Sequence, residues 1–190
     1  LDVDLLMDKG QTGNAEDYVS IANGTGDIFG EKTEGYKDGR ANGINWEPGK
    51  TEIVYLAVRN LGSLALNYNI QLNVKDYGLV GSLEYAVLDK ATAKDVTAKT
   101  WEELTQIDGA QLGQVKDGEI IAAPHGKLVE KNATDYFALA VHMDEEAGNE
   151  YQNKSIEIDL TLIAKQAMEE NDGFGNNTYD ENSIQVLEGL

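Results

Sequence analysis

Two histidines, no cysteine and 34 carboxylates bound the chemistry open to this chain. His125 lies in "AAPHGK" and His142 in "ALAVHMD". Neither belongs to a His-Glu-x-x-His repeat, the spacing that puts two imidazoles and a general base on one helix face around zinc. They read as a loop residue and a polar-face strand residue, with His142 pointing away from Phe137, Leu139, Val141 and Met143. Without cysteine, thiolate catalysis and cysteine metal sites are closed, and a secreted form would carry no disulfide. No Gly-x-Ser-x-Gly elbow exposes a serine nucleophile. "GTGDIFG" follows no strand and precedes no helix, so it is not a phosphate loop. Any two carboxylates could be posed as a glycosidase dyad, but no spacing selects a pair. The segment "NDGFGNNTYDEN" is different in kind: Asp172, Asn176, Asp180 and Glu181 put hard oxygen ligands on a Gly-rich loop, which suits calcium. It lacks the spacing of an EF-hand, and a solvated acidic loop has the same composition. Calcium at Asp172, Asn176 and Asp180 is therefore the one cofactor expectation, and no catalytic group is expected.

The whole chain sets wider limits. Its 190 residues suffice for one domain with a real core, and 41% are hydrophobic. A net charge of −19 argues against nucleic acid or an anionic membrane surface as partner, because phosphate repels it. Self-assembly would have to screen that charge, so salt, low pH or divalent cations should favour it. No apolar run reaches the roughly 18–20 residues of a membrane helix. A start at Leu1 instead of Met suggests a mature form whose signal peptide has been removed, or a trimmed one.

The elements that would position any site are mostly strands. "LDVDLLMD" alternates, with Leu1, Val3 and Leu5 on one side and Asp2 and Asp4 on the other. Residues 10–45 are rich in Gly, Asn and Asp, with only "YVSIA" able to form a short strand; a surface segment or subunit contact is expected there. The turn "WEPGK" launches "TEIVYLAVRN", and after "LGSL" comes "LNYNIQLNV", with Tyr68, Ile70 and Leu72 inward and an Asn-rich outer face. "SLEYAVLD", "GEIIAA", "GKLVE", "ATDYFALAVHMD" and "KSIEIDLTLIAKQ" read as further strands. Thr100 and Glu103 form a capping box for one short helix whose apolar side is Trp101, Leu104 and Ile107. The tail, 167–190, recovers a pattern at "SIQVL", as a last strand or an extension. The expected fold is all-β: a jelly-roll-like antiparallel β-sandwich with one short inserted helix and long loops. Its parts are an N-terminal strand (1–9), a connecting segment (10–45), a core (46–166) and the tail. Val54, Leu56, Val58, Tyr68, Ile70, Leu72, Phe137, Leu139, Val141, Ile156, Ile158, Leu160 and Leu162 should line two packed sheets.

"WEPGKTEIVYLAVRNLGSLALNYNIQL" resembles the Pro-Gly turn, strand, Asn-x-Gly-Ser-Leu turn and next strand found near the start of TasA and camelysin-type proteins. "LDVDL" resembles the strand upstream of it in that family, and "HMDEEAGNEYQNKSIEIDLTLIAKQ" its closing pattern. These blocks cover about half the chain in the family's order. Lys165 stands where the family has Thr, and the segment before Trp46 is longer than the family's. The resemblance implies a secreted protein with a jelly-roll sandwich that polymerises into extracellular biofilm fibres. Camelysin relatives have been called surface metalloproteases, but no metal motif matches here.

The function expected is therefore a secreted, non-enzymatic structural subunit whose partner is another copy of itself. Leu1, Val3, Leu5 and Leu6 would form a donor strand added to the next subunit. Pairing of that strand with its own sandwich is the competing expectation. A camelysin-type protease and a monomeric surface-binding sandwich are the rival functions.

Overall fold

The computed structural model describes residues 1–22, 28–29, 44–121 and 127–167, together with the backbone of 184–188. It is an all-β, jelly-roll-like sandwich of two antiparallel sheets. The strands are β1 (Val3–Asp8), β2 (Tyr18–Ser20), β3 (Thr51–Asn60), β4 (Leu66–Tyr77), β5 (Leu83–Asp89), β6 (Gln111–Gln114), β7 (Lys127–Val129), β8 (Thr134–Met143), β9 (Ser155–Gln166) and β10 (Ile184–Glu188). The first sheet has the order β2-β1-β3-β8-β5-β6 and ends in its two shortest members; the second is β10-β9-β4-β7.

Alternation explains the core. All thirteen residues expected between the sheets are buried there, joined by Val3, Leu5, Met7, Leu66, Leu83 and Tyr85 among others. The longest ladder, β4 against β9, runs from Leu66↔Gln166 to Tyr77↔Ser155 without a break. That register places the hydrophobic set of both strands on one face. The chain 10–45 is more than a connector: Ile21, Ile28 and Phe29 are core residues, and the Ile28 N–H donates to the Ile158 carbonyl at 2.8 Å. Phe29 meets Trp46 edge to face at 6.2 Å.

Among the described residues two short α-helices stand where one is expected, α1 (Ala93–Val96) and α2 (Trp101–Thr105). Each begins in a capping box, Thr92 with Asp95 and Thr100 with Glu103. They help cover the outer face of the first sheet, forming a second apolar cluster with Leu6, Tyr18, Tyr55, Ala57, Leu88, Ala138 and Ala140. "GEIIAA" is not a strand over its described part; Ile120 makes an isolated bridge to Gln71. Pairing with β9 makes the tail's recovered pattern, β10, a strand. No helix among the described residues is long and apolar enough to cross a membrane.

Candidate functional sites

The N-terminal strand lies in its own chain. β1 pairs with β3 from Val3↔Asn60 to Met7↔Leu56 and with β2 from Leu6↔Ser20 to Asp8↔Tyr18. A single copy thus follows the competing expectation, intramolecular pairing. Val3, Leu5 and Met7 enter the space between the sheets, whereas Leu6 faces the helix-covered side. Leu1 lies outside the strand and is 40% exposed. The turn after β1 is tied by Asp8, a buried carboxylate that accepts the N–H groups of Thr12 (3.2 Å) and Gly13 (2.8 Å).

At the start of β1 the Asp2 carbonyl accepts the Leu61 N–H at 2.9 Å. The turn there, Asn60 to Leu64, is built on one side chain. Buried Asn60 donates to the carbonyls of Leu64 (2.8 Å) and Val129 (3.1 Å) and accepts from the Gly62 N–H (2.9 Å). An amide can satisfy three backbone groups at once, which no apolar residue could do in that position. The turn leaves Leu61 and Leu64 exposed.

The second location is His142, and here the sequence reading needs correction. Its face of β8 is covered, and the imidazole is 1% exposed. Trp101 of α2 stacks on the ring at 4.6 Å and 3° from parallel. Nδ1 is 2.7 Å from Thr51 Oγ1 and Nε2 is 2.8 Å from Glu145 Oε1. With Nε2–H donating to the carboxylate, Nδ1 accepts from the Thr51 hydroxyl, so both ring nitrogens are engaged. These groups line an open cleft of about 360 Å³ together with Lys99 and Glu102. The order hydroxyl, imidazole, carboxylate can hold a proton in a fixed place. Chemically it is first a clamp that fixes α2 to the ends of β3 and β8. Thr51, Trp101 and Glu145 were not singled out in the sequence as its partners. The signal available was the small pair Ala138 and Ala140 in phase with His142, which marks a face with a close covering layer.

The remaining expected residues stay apart from both places. His125, Asp172, Asn176, Asp180 and Glu181 lie outside the described residues. Among the described residues no group of three His, Asp or Glu side chains is arranged to hold a metal.

No family model and no curated protein matches the chain. Solved structures do resemble it. A PapD-like domain of human CEP192 is 9% identical over 65% of this chain and 64% of that one, under two thirds of its length, with a TM-score of 0.30. AvmM, described as catalysing macrocyclization in alchivemycin A biosynthesis, is 12% identical over 73% and 78%, with a TM-score of 0.32. A family 123 glycoside hydrolase from Clostridium perfringens is 10% identical over 74% of this chain and 20% of its own, with a TM-score of 0.29. Likeness at this level carries no activity across. None of the three is a TasA or camelysin protein.

Proposed function

We propose that this chain is a secreted, non-enzymatic structural subunit that joins its own copies head-to-tail into extracellular filaments by exchanging β1. The reading is carried by the seat of that strand. β1 gives Val3, Leu5, Leu6 and Met7 to the interior, each contributing roughly 1.5–3 kcal/mol by burial. It is paired along five residues with β3 and along three with β2. A second copy's β1 would make the same contacts in the same seat, so exchange costs little once the hinge opens. The hinge is Lys9–Asn14, where Gln11 (φ 54) and Gly13 (φ 75) take left-handed backbone. Exposed Leu1, Leu61 and Leu64, near the start of β1, offer apolar surface to an adjoining subunit. The resemblance of "LDVDL" and "WEPGKTEIVYLAVRNLGSLALNYNIQL" to TasA-type fibre proteins supports the same reading. The charge of −19 makes growth depend on salt, acid or divalent cations.

A covalent lock tests it. Asp4 and Arg59 are partners across the β1–β3 ladder, and the chain has no cysteine of its own. In Asp4→Cys with Arg59→Cys, the oxidised protein should remain single particles under negative stain, and reduction should restore filaments. Filaments of normal length from the fully oxidised form would sink the exchange. Single particles from the natural chain at every salt and pH would favour the monomeric binding module. Casein cleavage by the pure chain, abolished by a chelator, would favour the protease.

A further inference from the structure

One rim of the sandwich gathers charged side chains that alternation directs inward. Lys127 opens β7 directly across from Tyr68 of β4, so the two side chains share a face. Tyr68 is buried in the inter-sheet core, as is Val129, while the intervening Leu128 is exposed. Asp135 precedes core residue Phe137 by two positions in β8, and Asp89 continues the inward series Leu83, Tyr85 and Val87 in β5. Three ionisable residues from three strands, two in one sheet and one in the other, therefore converge. Lys127 Nζ touches Asp89 Oδ1 and stands 2.9 Å from Asp135 Oδ2. The Tyr68 hydroxyl donates to the same Asp135 oxygen. The Lys127 and Asp135 side chains are 20% and 16% exposed, that of Asp89 51%.

We propose that Lys127 and Asp89 condense into an intramolecular isopeptide bond, with Asp135 as the proton relay. In the proposed step Lys127 passes one ammonium proton to Asp135, 2.9 Å away, which leaves an amine in contact with the Asp89 carboxyl. The Nζ lone pair attacks Asp89 Cγ, forming the C–N bond. Asp135 returns that proton to one Asp89 oxygen and then carries a second proton from Nζ to the same oxygen, so the C–O bond breaks and water leaves. The balance is one ammonium and one carboxylate giving one amide and one water, with Asp135 unchanged and no co-reactant. The fixed approach replaces a bimolecular encounter, and effective molarities for such geometry reach roughly 10⁵–10⁸ M. Tyr68 is a positioning residue. Burial, then the charge of Asp135, pushes its phenol far above the ordinary range, so it remains a hydrogen-bond donor to the relay. The exposed side of Asp89 gives the water an exit. The product would weld β5 of one sheet to β7 of the other and close a loop containing α1, α2 and β6.

Intact-mass spectrometry of the full chain decides the matter. The folded wild type should be one water lighter than its sequence. Tryptic digestion should yield peptide 76–90 joined to peptide 117–131, uncut at Lys127. In denaturing gels it should run faster than Lys127→Arg, which should keep its full mass. Asp135→Asn, confirmed as folded by circular dichroism, should also keep its full mass or lose water far more slowly. A wild type that retains its full mass after prolonged incubation, with no joined peptide, overturns the bond. So does a water loss that persists in Lys127→Arg or maps to an Asp-Gly step. Bond formation at the wild-type rate in Asp135→Asn overturns the relay.

Discussion

The two sheets share an interior and differ on their outer faces. Behind the first, α1 and α2 press on Ala57, Ala86, Ala138 and Ala140, with His142 pinned beneath Trp101. The second presents Asn67, Asn69, Gln71 and Asn73 along β4, where Asn73 donates to Thr161 of β9 at 2.6 Å. A β pattern decides which side chains share a face, while residue size decides whether another layer can approach. Small residues behind the first sheet let helices in; amides behind the second can bond their neighbours or water.

This contrast can be broken in steps. The largest effect belongs to the shared interior: Leu160→Ala should cost about 2–5 kcal/mol, read from the urea midpoint. Unchanged stability would mean the strand phases are wrong. Alkali comes next, because both layers hold buried tyrosines. Burial, with Glu119 nearby, pushes Tyr85 up to about 12, and burial raises Tyr18, Tyr55 and Tyr68 as well. A raised phenol contributes stability that is complete below its unfolded value near 10. It is lost as pH rises through the folded value. Unfolding should therefore set in above about pH 10, together with a cooperative rise in tyrosinate absorbance; gradual ionisation of a still-folded chain would contradict it.

A middle effect separates the outer faces. Ala140→Leu, beneath the covering layer, should overpack and cost about 1–3 kcal/mol. Gln71→Val on the amide face should stay within about 0.5 kcal/mol. Equal losses in calorimetry would erase the distinction. The smallest effect concerns how the cover is held: Thr100→Ala should cost about 1 kcal/mol by removing the α2 cap. The Thr100 backbone N–H and hydroxyl keep the Glu103 carboxyl below its usual range. Its stabilisation is therefore present above the ordinary glutamate value and fades as pH falls through the lower folded one. Trp101 fluorescence should report that loosening, and an unchanged acid profile in Thr100→Ala would count against it.

Much of the interior was legible because β3, β4, β8 and β9 are long, and because β4 and β9 alternate. Ile156, Ile158, Leu160 and Leu162 could be assigned to one face by counting alone. Counting does not say what lies behind the other face, so His142 reads as a polar-face residue although α2 closes over it. β6, "QLGQ", is too short and polar to show a period. Ile28 and Phe29 sit in a Gly-rich stretch whose composition hides two buried anchors. The partner of β1 is a long-range choice that local pattern cannot make. The rim of Asp89, Lys127 and Asp135 was encoded as charges in inward phase at strand ends, a signal that is visible only once the strands are paired.

The first sheet closes on three residues of β2 at one side and four of β6 at the other. Within β6, a Cβ at Gly113 would lie 2.6 Å from the hydroxyl of Tyr85, so the central position cannot take a larger side chain while Tyr85 stays in place. Margins this brief give a passing chain too few amides to template on, which protects the sheet against amyloid-like stacking. A protein crowded among its own copies would stay free of runaway accretion on that sheet, and any ordered association would be confined to places shaped for it.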